Sequence, residues 1–141
     1  RRAGTSEYLR AESFAMALER TLEEPPDKYW EFQEIVRSHL ENLEGAVRLG
    51  PDDPQRKAGH ISSWVFGTLP AEPILVQLDM KGICASSGSA CSSHSVDSDE
   101  QASGLIRFSF GWNTRGPEVE QAAEAMRDIA QRLMQKERKV R

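Results

Sequence analysis

Cys91 stands in the run Ser86-Ser87-Gly88-Ser89-Ala90-Cys91-Ser92-Ser93-His94, whose small polar residues offer no apolar pocket to bury a thiol. The setting predicts an exposed thiol on a flexible arm, one that reaches a reaction centre as its thiolate and then withdraws. A chance loop cysteine fits the same composition. His94, three residues on, is a candidate base or an ordinary solvated histidine. Cys84 lies in the apolar stretch Ile83-Cys84-Ala85, which predicts a buried core position. A zinc site from both cysteines, His94 and a distant His60 or His39 would need unusual spacing, since no close Cys or His pair starts one. No metal is therefore expected.

Arg107 shares one face of an alternating segment with Leu105 and Ser109. Its planar guanidinium matches a ligand carboxylate. An ion pair with one of the 22 Asp and Glu residues is the plain alternative. Gly4-Thr5-Ser6 supplies hydroxyls and free amides to the start of a helix, which serves either an anion contact or an ordinary N-cap.

Helices and strands must place these residues. Leu9, Phe14, Leu18 and Leu22 recur at helical spacing over residues 6–22, and Pro25-Pro26 stops that helix. Asp27 opens a second helix, with Phe32, Val36, Leu40 and Leu43 along one face. Residues 46–49 form a short strand, 50–59 a surface loop, and 60–66 a better strand rich in β-branched and aromatic residues. Pro70 and Pro73 fit the first turn of a helix over 70–80, which Gly82 closes. A strand over 83–85, a mobile Ser- and Gly-rich loop over 86–103 and a strand over 105–110 follow. In that last strand Ile106, Phe108 and Phe110 face inward. Val119, Ala122, Met126, Ile129 and Leu133 then mark a long helix with a basic end. The order ααββαββα is an α+β fold, a small antiparallel or mixed sheet of three to four strands covered by helices.

With 141 residues the chain makes a single domain, residues 1–141, and a formal charge of −4 argues against nucleic-acid binding. The longest aliphatic run, Ile74-Leu75-Val76, is far short of a membrane span. Two cysteines are too few for a disulfide scaffold, so a reducing, cytoplasmic setting is expected. The opening Arg1-Arg2-Ala3-Gly4, without Met or an apolar leader, points to a piece of a longer chain.

Several segments together resemble the C-terminal half, or small domain, of pyridoxal-phosphate-dependent cysteine desulfurases, of the class-V aminotransferase family. They are Arg1-Arg2-Ala3-Gly4-Thr5, Ala71-Glu72-Pro73-Ile74-Leu75, Leu78-Asp79-Met80-Lys81-Gly82-Ile83, Ser86-Ser87-Gly88-Ser89-Ala90-Cys91-Ser92-Ser93 and Ile106-Arg107-Phe108-Ser109-Phe110-Gly111. The resemblance implies that Cys91 takes sulfur from L-cysteine as a persulfide with release of alanine. Arg107 would hold the substrate carboxylate, and Thr5 would contact the cofactor phosphate across a homodimer interface. The sulfur would pass to an acceptor protein, such as an iron–sulfur cluster scaffold or a thiolation protein. The family's Schiff-base lysine, and the histidine and aspartate that hold the ring, precede the matched region. The PLP-binding large domain is therefore an expected partner, and the chain alone is expected to be inactive. After Val96 the chain is shorter than the family pattern. The alternative function is a non-catalytic persulfide carrier or sulfur-acceptor interaction domain.

Overall fold

Alternating apolar and polar residues in the strand segments require a sheet with one dry face and one wet face. The computed structural model, which describes residues 7–23, 27–51, 53–88 and 104–140, has that sheet. Helices α1 (Tyr8–Glu23) and α2 (Asp27–Leu40) precede β1 (Ala46–Leu49) and a single 3-10 turn at Pro54–Arg56. Then come β2 (Ile61–Phe66), α3 (Ala71–Asp79), β3 (Ser86–Ser87), β4 (Leu105–Ser109) and α4 (Gly116–Val140). The strands lie in the order β1-β2-β4-β3, each antiparallel to its neighbour. The α+β class and the order of elements agree with the sequence reading.

The dry face is built from every second strand residue. Trp64 and Phe66 on β2 and Ile106 and Phe108 on β4 are buried against Val36 and Leu40 of α2, Ile74 and Leu78 of α3, and Met126 and Ile129 of α4. Ser62, also fully buried, accepts a 3.0 Å hydrogen bond from Trp64 Nε1, so two polar groups in the core satisfy each other. Gln33 on α2 donates from Nε2 to the carbonyls of Gly59 and Ile61, which pins the helix to the entry of β2. His39 on α2 sets Nε2 2.7 Å from Glu120 Oε1 and Nδ1 3.4 Å from Arg127 Nη1, both on α4. Because a guanidinium only donates, Nδ1 accepts and the Nε2 hydrogen is left for Glu120.

Two boundaries carry physical information. α3 closes with Gly82 at φ 72°, Ile83 N–H bonded to Leu78 O at 3.0 Å and Gly82 N–H to Asp79 O at 2.8 Å. This is the left-handed glycine cap that the sequence suggests. The strand expected over 83–85 is displaced, however, and pairing begins at Ser86, opposite Arg107. Ile83 and Ala85 instead pack half-buried against the core on the way from α3 to the sheet edge. Pairing to β4 thus outweighs the weak strand preference of two serines.

α1 differs from the other helices in burying nothing, with Tyr8 77% and Leu9 80% exposed. Near its end the Arg20 guanidinium lies 4.4 Å over the Trp112 ring, while Lys28 Nζ donates to Trp112 O at 2.6 Å. The membrane-span expectation concerns helices only: among the described residues no helix is long and apolar enough to cross a membrane.

Gly104, which opens β4, lies close against backbone, and a Cβ there would sit 2.7 Å from Leu69 O. Gly104→Ala is therefore expected to cost about 1–3 kcal/mol in denaturant unfolding. Gly116→Ala, with nothing within 4 Å, should be near neutral in the same assay.

At the far end of the sheet Arg138 on α4 donates to the Glu44 carboxylate, which holds that carboxyl below its ordinary value of 4.5. A lowered carboxyl favours the folded state above pH 4.5 and loses that contribution as pH falls through the lowered value. In an NMR titration Glu44 should show a midpoint below 4.5 that moves back toward 4.5 in Arg138→Ala.

Candidate functional site

β4 is an inner strand, and its alternation decides where Arg107 goes. Ile106 and Phe108 are buried on the helical side, so Arg107 between them must lie on the open face. Register then names its neighbours: Arg107 pairs with Ser63 on β2 and with Ser86 on β3, and Ser63 pairs with Leu49 on β1. A cross-strand row Leu49, Ser63, Arg107, Ser86 therefore runs over the open face. Beside it runs an apolar row of Val47, Val65 and Leu105.

Within this row Arg107 is half-buried, yet its Nε is covered from solvent and has no hydrogen-bond partner among the described residues. No ion pair to Arg107 is present among the described residues. Other arginines do have carboxylates: Arg37 forks between Glu34 and Glu41, and Arg127 meets Glu124 and Asp128. Those acids lie on or next to the helices, and among the described residues none forms an ion pair with Arg107. A desolvated N–H without an acceptor costs about 1–3 kcal/mol. Chemically, an arginine flanked by hydroxyls on an otherwise apolar face can bind a planar anion.

The remaining sequence candidates fall in different places. Cys91, His94 and Thr5 lie outside the described residues. The segment bearing Cys91 and His94 leaves the described structure at Gly88, whose N–H reaches Leu105 O at 3.3 Å, and returns at Gly104. Both points adjoin the β3–β4 strand pair that carries Arg107. Cys84 corrects the expectation of a buried core thiol, because it is exposed. Since Ile83 and Ala85 are the half-buried residues of that stretch, the side chain between them turns outward. No group of three or more His, Cys, Asp and Glu able to hold a metal occurs among the described residues.

None of the lysines builds a seat for an aldehyde cofactor beside Arg107. Lys28 is bonded to Trp112 O, Lys57 is in the turn before β2, Lys81 is exposed after α3, and Lys136 and Lys139 are exposed on α4. Sequence reasoning singled out Arg107 but not Ser63 or Ser86 as its neighbours. Period-two alternation showed the open side of β4, and nothing in a single strand specifies which residue of another strand stands opposite.

The Aminotransferase class-V family model matches residues 1–122. A putative cysteine desulfurase IscS 1 of Bacillus subtilis is 29% identical over 147 residues, spanning 94% of this chain and 38% of that protein. A cysteine desulfurase of Enterobacter agglomerans is 42% identical over 78 residues, 48% of this chain and 20% of that protein. The solved NifS-like protein of Rickettsia africae superposes with a TM-score of 0.74 at 23% identity, over 91% of this chain and 36% of that one. The chain thus spans little more than a third of the Bacillus and Rickettsia proteins.

The outward Cys84 leads to a direct check. In a Cys91→Ser background the native protein should react with one equivalent of a thiol reagent without denaturant, and Cys84→Ala should abolish that reaction.

Proposed function

The chain belongs to the class-V aminotransferase family, and from that premise we propose that it supplies the substrate-orienting and sulfur-accepting residues of a pyridoxal-phosphate-dependent cysteine desulfurase. The observation that carries this reading is Arg107, whose covered Nε has no hydrogen-bond partner among the described residues, on the strand pair from which the Cys91 segment leaves. Arg107 orients the α-carboxylate of L-cysteine through the two-pronged geometry that guanidinium and carboxylate share. Cys91 is five residues beyond Ser86, the cross-strand partner of Arg107, which limits its Cα to within about 18 Å of that of Ser86.

In the net reaction L-cysteine and the Cys91 thiol give L-alanine and a Cys91 persulfide. The Cys91 sulfur bonds to the substrate sulfur and the substrate carbon–sulfur bond breaks. The carbon is thereby reduced to the methyl of alanine while the pair of sulfurs is oxidised. Pyridoxal phosphate, when bound, supplies the electron sink for this cleavage. The described lysines do not seat it, so this chain's own part is to hold the carboxylate, present the thiol and, through Thr5, contact the phosphate.

The reading includes a partner. α1 exposes Tyr8, Phe14, Leu18 and Leu22, and the curated relatives are far longer than this chain. A large cofactor-bearing domain packed over α1 and the open sheet face accounts for both. Homodimer assembly, a cytoplasmic location and delivery of the persulfide sulfur to an iron–sulfur scaffold or thiolation protein complete the proposal.

The test uses the chain together with the cofactor-bearing domain. Cys91→Ser should abolish the persulfide seen by mass spectrometry and cut alanine release at least about 10²-fold. Arg107→Lys should raise KM for L-cysteine roughly tenfold. Undiminished sulfur delivery by the Cys91→Ser protein would overturn the reading. Transfer to Cys91 from a persulfide donor, with no cleavage of L-cysteine, would favour a carrier instead.

A further inference from the structure

Arg107 presents a problem that its own strand does not solve. Nε is covered and has no hydrogen-bond partner among the described residues, yet a guanidinium that is to grip a carboxylate needs its orientation fixed about the Cδ–Nε bond. Its two cross-strand partners are both serines, and no acid of the described residues pairs with it. Of the two, Ser86 is exposed on a two-residue edge strand, whereas Ser63 is half-buried on β2 between β1 and β4. The Cβ atoms of directly opposed antiparallel residues stand about 4.5–5.5 Å apart, within reach of a rotating hydroxyl and a flexible arginine stem. A serine hydroxyl also accepts while keeping its own hydrogen for another acceptor.

We propose that Ser63 is a positioning residue for Arg107. On carboxylate binding its Oγ accepts the Nε hydrogen and leaves both terminal nitrogens to grip the ligand end-on. Leu49, the β1 neighbour of Ser63, offers no competing polar group in the row. The inference rests on the desulfurase reading for the identity of the carboxylate and extends it to a residue that touches neither sulfur nor cofactor. It explains why a small hydroxyl residue stands among Ile61, Val65 and Leu105 on that part of the open face.

The test compares Ser63→Thr with Ser63→Val in the enzyme assembled with its cofactor-bearing domain. Both replacements are β-branched and nearly isosteric, so they suit the strand equally and differ in the hydroxyl. Ser63→Val should raise KM for L-cysteine roughly three- to tenfold with kcat within about twofold, and Ser63→Thr should restore KM to within about twofold. As a second readout, saturating L-alanine should give a slowly exchanging Arg107 Nε–H resonance in the native and Thr proteins and not in the Val protein.

Equal KM values for the Thr and Val variants, with Arg107→Lys still raising KM, would overturn the role of Ser63 and leave the desulfurase reading in place. An unchanged KM in Arg107→Lys itself would instead overturn the reading on which the inference rests.

Discussion

The constraint on which the site depends is the alternation of β4 between two buried neighbours. Ile106 and Phe108 each fill the space between sheet and helices, and the backbone geometry then leaves Arg107 only the opposite face. A slip of the pairing by one residue would expose both apolar side chains, at about 1.5–3 kcal/mol each, and drive a charged group into the core. The helices that supply the other half of that core therefore hold the arginine in place without touching it. Met126 and Ile129 of α4 are as much a part of the site's geometry as Ser63, because they stabilise the register that Arg107 needs.

The second feature is the distribution of charge. Eighteen cationic residues share the chain with 22 acids. Helix arginines have local partners: Arg37 lies three residues from Glu34 and four from Glu41, and Arg127 lies three from Glu124. Exposed pairs of that kind contribute little, typically about 0–1 kcal/mol. Arg107 has the opposite arrangement, with partial burial and no counter-charge among the described residues. Such an arrangement does not help this part of the fold. It is the arrangement expected where the balancing anion comes from outside the described residues, as a bound carboxylate would, and the paired arginines lack it.

How much was legible in the sequence follows from the range of each interaction. Local periodicity predicted the buried face of α2 through Phe32, Val36 and Leu40, and the open side of β4 through Arg107. The cap at Gly82 was legible for the same reason, since a left-handed residue after a helix is a local requirement. Cross-strand facts were not. The Ser63, Arg107 and Ser86 row depends on two registers that no single segment contains. The exposure of Cys84 has the same origin: Ile83-Cys84-Ala85 reads as an apolar strand by itself, whereas pairing with β4 starts at Ser86. Cys91 and Thr5 lie outside the described residues and remain assigned by resemblance.

α1 shows what periodicity leaves open. Phe14, Leu18 and Leu22 have proper helical spacing, and a helix forms, but the spacing alone does not say which surface receives the stripe. Within the described structure Arg20 on the exposed Trp112 ring is an anchor near one end of the helix. An exposed cation–π contact is worth about 0.5–1 kcal/mol, and a helix of 16 residues is marginal in water by its own hydrogen bonds. A cover over its exposed apolar stripe would add the packing that these two terms lack. Trp112 is joined in turn to Lys28 and follows β4 by three residues, so a partner packed on α1 would also load the end of the strand that presents Arg107. A covering domain that brought the cofactor would in this way stabilise the helix and the carboxylate site through one continuous set of contacts, which ties completion of the fold to completion of the chemistry.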